Sequence, residues 1–410
     1  MADVFVAVPF VQQETLFYCG PATGQMVLSA LGSVSPPAPP SWQDGLWDYV
    51  VNNTGATRPS GAPSTPTSPP FPQQKCELCA SYWKCWSTTP GVLQSMLNVS
   101  QGVAQYGVTT HSTEASATDK LLDAIDVNLP AVALVRGWQH WLVVDGYSTG
   151  PATAWAVGGR TIAGIYIRDP WALAATHYVT TKNWRQKYLK FVPCGNYKNT
   201  FVVLSAVRRP QLQIMRPSVA PTTISIQDDF VEPRPQRLNI MKPLLTISFA
   251  LQKAGDAAAQ LAGADRLKVA LADARPASAL LVQELDEPDS YYYIVSFLQG
   301  GRETARVMID AADGELLEVA AVSESGGALQ PYVTPAATLD RLYAEGVKVP
   351  ESDRFQIRPG LVGQHPVLVW KPCGQSSSPF LPFYQYSVGD SFVYYRLDGR
   401  RFDELTEGPA

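Results

Sequence analysis

The sequence predicts an α+β protein of more than one domain, and three observations carry that reading. Segments with helical periodicity alternate with short, continuous apolar runs of strand length, and a proline-studded stretch near residue 210 divides the chain. Beyond that stretch, two similar segments each place a helix before strands joined by Gly-Gly, Gly-Asp or Asp-Gly turns. With 410 residues, 46% hydrophobic and 17% charged, the chain can build two or three domains with real cores.

Composition also excludes functions. A net charge of −4 offers no basic face for nucleic acid, so no nucleic-acid partner is expected. There is no membrane span, because no apolar run reaches the ~18 residues that crossing requires. MADVFVAVPF lacks a basic stretch followed by an apolar core, so no secretory signal is expected and a cytoplasmic location is the default. Six cysteines are too few for a disulfide scaffold.

The first element is the segment VPFVQQETLFYCGPATGQMVLSALG, residues 8–32. An extended apolar opening (Val6, Val8, Phe10) leads to Cys19-Gly20-Pro21, which starts a helix. Met26, Val27, Leu28, Ala30 and Leu31 can be buried along it, and Gly32 stops it. Cys19 thus sits at a helix N-terminus, where exposed N–H groups and the helix dipole favour the nucleophilic thiolate. Gln13, six residues earlier, is placed to donate to a developing oxyanion, with Gln12 as the competing choice. The plainer alternative is that Cys19 is a small buried residue.

Residues 33–75 hold ten prolines between Pro36 and Pro72 and read as a long surface insertion, broken by an apolar island around Trp42, Leu46, Trp47, Val50 and Val51. A cysteine cluster follows at 76–85, with Cys76, Cys79 and Cys85 spaced C-x2-C-x5-C. With Cys194 as fourth ligand these residues would form a structural zinc site; disulfides or free thiols are the alternatives. In STTPGVLQSMLNVS, Thr88 or Thr89 caps a helix that Pro90 opens, and Val92, Leu93, Met96 and Leu97 form its apolar face. A further helix is expected at about 116–127, with Leu121, Leu122, Ile125 and Val127 inward.

The runs AVALV and WLVVDGY in LPAVALVRGWQHWLVVDGYS read as central strands, which puts His140 at a strand start beside the core. Of the four histidines, His111, His177 and His365 lack that setting. Residues 148–162 read as a polar hairpin or loop, and AGIYIRDPW as a strand ending in Asp169-Pro170. A carboxylate there can accept the second imidazole N–H and fix the tautomer, which makes Asp169 the candidate orienter of His140. It can also be the opening of an Asp-Pro turn. Asp145, five residues beyond His140 on the same strand, points to the other face and is the poorer candidate.

The order Gln13, Cys19, His140 and Asp169, in those frames, resembles the peptidase C39-like branch of the papain-like cysteine peptidases over about residues 5–205. The matched features are Q-x5-YCGPA entering a helix, WSTTPGVLQSMLN, HWLVVDGY and IYIRDPW. The resemblance implies a papain-like fold, peptide or protein substrates, and a catalytic set in which Cys19 is nucleophile, His140 general base, Asp169 its orienter and Gln13 part of the oxyanion hole. Catalysis of this kind needs no cofactor. The insertion with its cysteines and the spacing of 29 between His140 and Asp169 depart from the family pattern. No ATP-binding or membrane region follows, so the transporter-fused form that cuts double-glycine leaders is not expected. Phytochelatin synthase, a peptide transferase with a similar YCG cysteine helix, supplies the competing expectation of acyl transfer, and a non-catalytic binding protein on a peptidase scaffold is the other.

The expected domains are 1–207, a linker at 208–237, and α+β units at 238–325 and 326–410. YIVSFLQGGRETARVMIDAADGELLEV in the first unit resembles PepSY-type domains, which implies a binding, self-association or inhibitory module. The aromatics Tyr291, Tyr292, Tyr293, Phe380, Phe383, Tyr384 and Tyr386 read as core and cross-strand pairs, and Cys373 as an ordinary loop or strand-end cysteine.

Overall fold

The structure, a computed structural model, describes residues 3–14, 18–32, 43, 45–46, 88–99, 104–150, 154–171, 175–193, 197–208, 243–287, 289–322, 328–346, 366–388 and 391–406. The bulk of the proline-rich insertion, Cys76, Cys79, Cys85, Cys194 and the 208–237 linker apart from its first residue lie outside them, and so does the zinc reading. Among the described residues no group of three or more His, Cys, Asp or Glu is placed to hold a metal, and no helix is long and apolar enough to cross a membrane.

The class is α+β. The N-terminal half holds strand β1 (Asp3–Phe5), helix α1 (Cys19–Ala30), helix α2 (Pro90–Val99), strand β2 (Ala104–His111), helix α3 (Glu114–Asp126), and strands β3 (Ala131–Val135), β4 (His140–Thr149), β5 (Trp155–Val157), β6 (Arg160–Arg168), β7 (Thr176–Thr180) and β8 (Phe201–Arg208). The second half adds helix α4 (Ile247–Leu261), helix α5 (Asp265–Leu271), strands β9 (Arg275–Glu284), β10 (Tyr291–Gln299), β11 (Arg302–Asp310) and β12 (Leu316–Ala321), helix α6 (Pro335–Glu345), and strands β13 (Val367–Trp370), β14 (Phe383–Val388), β15 (Ser391–Arg396) and β16 (Arg401–Phe402).

Local chemistry sets the helix ends. Helix α2 begins on Pro90, and the amide of Val92 donates to Thr89 Oγ1 at 3.4 Å. Helix α3 starts two residues before its expected position, because Thr113 caps it by accepting from the Ser116 amide at 3.1 Å and Glu114 occupies the positive first turn. Helix α1 ends where Gly32 adopts φ +64, as its position after the last apolar residue suggests.

The strands form one continuous sheet in the order β16-β15-β14-β13-β9-β10-β11-β12-β7-β6-β4-β3-β8-β2, with β1 paired to β4 and β5 to β6. Its middle is the junction between the two halves. Strand β12 runs antiparallel to β7, with Val319 opposite Tyr178 and Ala320 opposite His177. The N-terminal core packs α1, α2 and α3 on β3, β4 and β8, all five residues of β3 being buried. The second core takes in Tyr166 and Tyr178 of the first half as well as the aromatics of β10 and β14. Burying side chains of that size contributes about 2–3 kcal/mol each, so the halves share apolar stabilisation across the seam.

A buried ion network also crosses the seam. Arg266 of α5 donates to Asp145 Oδ2 at 2.8 Å, Arg168 donates to the same oxygen at 2.6 Å, and the Arg266 guanidinium lies over the rings of Phe5 and Tyr166. Asp145 is therefore a tie between strand β4 and the second half, and His140 has a different partner.

Candidate active site

Helix α1 presents Cys19 as its first residue, after Tyr18. Its position is fixed on two sides. On one, Gly20 lies against Thr88 so closely that a Cβ would come within 2.1 Å of the Thr88 hydroxyl, and Gly24 one turn later meets Met96 in the same way. These two glycines let the cysteine helix settle onto the start of α2. On the other side, Thr23 Oγ1, one turn from Cys19, donates to the Trp141 carbonyl at 3.2 Å. Trp141 in turn donates its indole N–H to the Thr88 carbonyl at 2.7 Å. The residue next to His140 thus ties strand β4 to both α1 and α2.

His140 opens β4, paired in register with Val135 across β3. Its Nε2–H donates to Asp169 Oδ1 at 2.8 Å, and both side chains are buried. Asp169 follows directly on β6, the neighbour of β4, which brings two residues 29 apart in sequence into contact. The Asp169 Oδ1 atom also accepts the Trp171 amide at 2.8 Å, so the Asp-Pro turn and the histidine contact are made by the same oxygen. That turn reaches one step further, since the Gln13 backbone N–H donates to the Pro170 carbonyl at 3.0 Å. Gln13 is buried there and Gln12 is exposed.

The electrostatics follow from this enclosure. Burial alone would drive the proton off His140, but the Asp169 carboxylate, with a smaller contribution from a hydrogen bond and charge at Cys19, overrides it and raises the imidazole from 6.5 to about 9. Burial likewise opposes ionisation of Asp169, yet His140, then His177 and Arg136, hold it at about 2. Near neutral pH the centre therefore contains an imidazolium anchored on a carboxylate and coupled to the cysteine. The arrangement can move one proton between a sulfur and a leaving group, with a tautomer fixed by Asp169.

Two further residues stand around the centre that the sequence did not single out. Arg136, in the turn before His140, has a left-handed backbone at φ +57, and its guanidinium lies over the rings of Tyr188 at 4.8 Å and Trp370 at 4.9 Å. His177, on β7, donates to Glu318 at 2.6 Å. Only the positive charge of Arg136 beside a predicted catalytic histidine is visible in sequence; the partner of His177 lies 141 residues away.

Residues 5–199, a little under half of the chain, match the model of the Peptidase_C39 like family. Among solved structures the chain is similar to the double glycine motif protease from an AMS/PCAT transporter in complex with the leader peptide, with 12% identity over 50% of this chain and 94% of that one, and a TM-score of 0.28. None of the curated proteins matches the chain. Neither match is evidence for the PepSY-like resemblance in the second half.

Proposed function

We propose that this chain, whose residues 5–199 match the Peptidase_C39 like family, is a cysteine peptidase that cleaves peptide bonds through Cys19, His140, Asp169 and Gln13. The observation that carries the proposal is the Asp169-anchored imidazole of His140 coupled to a cysteine at the start of α1. Family membership of that segment supports a peptidase in general; the residue roles are our assignment.

In this reading the Cys19 sulfur attacks the scissile carbonyl carbon, and its electron pair forms the C–S bond as the carbonyl π pair moves to oxygen. Gln13 donates to that oxyanion. As the C–N bond breaks, His140 delivers its proton to the leaving amine, which gives a thioester and a neutral imidazole. Neutral His140 then takes a proton from water, the hydroxide adds to the thioester carbonyl, and the C–S bond breaks to release the acid. The cysteine leaves as thiolate beside the restored imidazolium. Asp169 keeps Nε2–H directed away from the sulfur in both halves of the cycle. Structural zinc through Cys76, Cys79, Cys85 and Cys194 has no part in these steps.

The test uses the full chain and a mixed peptide library, with products read by mass spectrometry in water containing heavy oxygen. One heavy oxygen at each new C-terminus, absent in Cys19→Ser, is expected. Products capped by an added amine, with no label, would assign acyl transfer in place of hydrolysis. No products and no acyl adduct on Cys19 would remove the proposal.

A further inference from the structure

Glu318 sits on β12, in the second half, and is 1% exposed. Its carboxylate accepts from three side chains of the first half: Asn183 Nδ2 at 2.5 Å, His177 Nε2 at 2.6 Å and Tyr188 OH at 2.9 Å. A carboxylate this deep is costly to desolvate unless it is well satisfied. A strand seam needs no such group, because the β12–β7 ladder is already made by backbone.

Two of its three donors lead towards the candidate catalytic centre. His177 is the register partner of Ile167, two residues before Asp169, and is among the groups that lower the Asp169 carboxyl. The Tyr188 ring lies under Arg136, whose charge also bears on Asp169, and Trp370 of the second half covers Arg136 as well. An independent contact points the same way. Arg396, from β15, lies 4.8 Å over the ring of Trp171, whose amide holds Asp169 Oδ1. The second half therefore reaches the orienting carboxylate through Glu318 and His177, through Trp370 and Arg136, and through Arg396 and Trp171.

We propose that Glu318 is a positioning residue for the Cys19–His140–Asp169 centre, acting through His177, so that the second half completes the active site of the first. This rests on the peptidase reading above. Glu318 touches no reacting atom. Its role is to hold His177 beside the strand end that carries Asp169, and thereby to fix the direction in which Asp169 receives the His140 N–H. Placement errors of a fraction of an ångström at such a group cost about tenfold or more in turnover.

The test compares full-length wild type, Glu318→Gln, Glu318→Asp and Lys187→Ala, with histidine nitrogens labelled. The chain has four histidines, and the His140 proton shared with Asp169 is identified as the downfield signal lost in His140→Gln. Lys187 pairs with Glu284 and Glu287 across the same seam and does not touch His177, so its removal controls for simple loosening. In Glu318→Gln the His140 signal is expected to move or broaden, and kcat to fall about tenfold with KM within about twofold. Lys187→Ala should match wild type, and Glu318→Asp, which keeps the charge, should recover part of the loss. An unmoved His140 signal in folded Glu318→Gln overturns the inference, and so does the same change in Lys187→Ala. If Glu318→Gln does not fold, the same readings on Glu318→Asp and His177→Gln decide: wild-type signals in both overturn it. A signal that moves in a chain cleaving no peptide upholds the positioning role while removing the peptidase reading; cleavage with an unmoved signal does the reverse.

Discussion

Raising the pH through the titration of His140 is expected to remove roughly 3 kcal/mol of folding stability. The imidazole is raised from its ordinary 6.5 to about 9 against the cost of burial, by Asp169 foremost and by Cys19. At about 1.4 kcal/mol for each tenfold change in proton affinity, that difference is worth roughly 3 kcal/mol. The sign follows from the protonated form being the favoured one in the fold. The contribution is complete below pH 6.5, where the unfolded chain also carries the proton, and it disappears as pH rises through about 9. Other groups titrate over the same interval, so the useful quantity is the difference between wild type and Asp169→Asn, which keeps the shape of the pair and removes its charge. Urea unfolding of both proteins at intervals from about pH 6 to pH 10 should show the wild-type advantage shrinking steadily with pH. Parallel stability curves for the two proteins would refute the reasoning, because they would mean that His140 carries no extra proton in the fold.

Three further outcomes follow from the same contacts. Arg266→Ala removes one of two guanidinium partners from Asp145, which is wholly buried, and is expected to cost about 3 kcal/mol, read as a lowered urea midpoint. Gly164→Ala would place a methyl 2.3 Å from the ring of buried Tyr178 on the neighbouring strand, and a loss of about 2 kcal/mol in thermal unfolding is expected. Gln13→Ala should lower kcat by about 100-fold with little change in KM, the pattern of a donor used only in the transition state.

Much of the candidate site was legible because its signals are local. Cys19-Gly20-Pro21 ahead of an apolar run is a helix start, and Cys19 is the first residue of α1. His140 after AVALV and Asp169 after IYIR mark strand ends, and the adjacency of β4 and β6 brings them to 2.8 Å. Alternation separated Asp145 from His140, though its true partners, Arg168 and Arg266, were not visible, the second lying 121 residues away. Strand β9 is hard to read because RPASALLVQE has no clean alternation and its apolar run, Ala279–Val282, is only four residues long; it forms by pairing on both edges with β10 and β13. The continuity of the sheet across the seam was hidden for a related reason. Strand β12 carries a glutamate at a buried position, which reads as solvent-facing in sequence and is satisfied only by residues of the other half. Long-range polar contacts of this kind leave no periodic trace.

Catalysis at this site requires that His140 activate Cys19. The most direct measurement is the rate of iodoacetamide labelling at Cys19, located by peptide mass, in wild type and His140→Ala across about pH 4 to pH 9. Cys19 is buried, so opening of the site slows both proteins, and the ratio of their rates isolates the histidine's effect. Wild type is expected to label much faster than His140→Ala already well below the free thiol value of about 8.5, with the two rates converging as pH approaches it. Equal labelling of both proteins, rising only near that value, would contradict that activation.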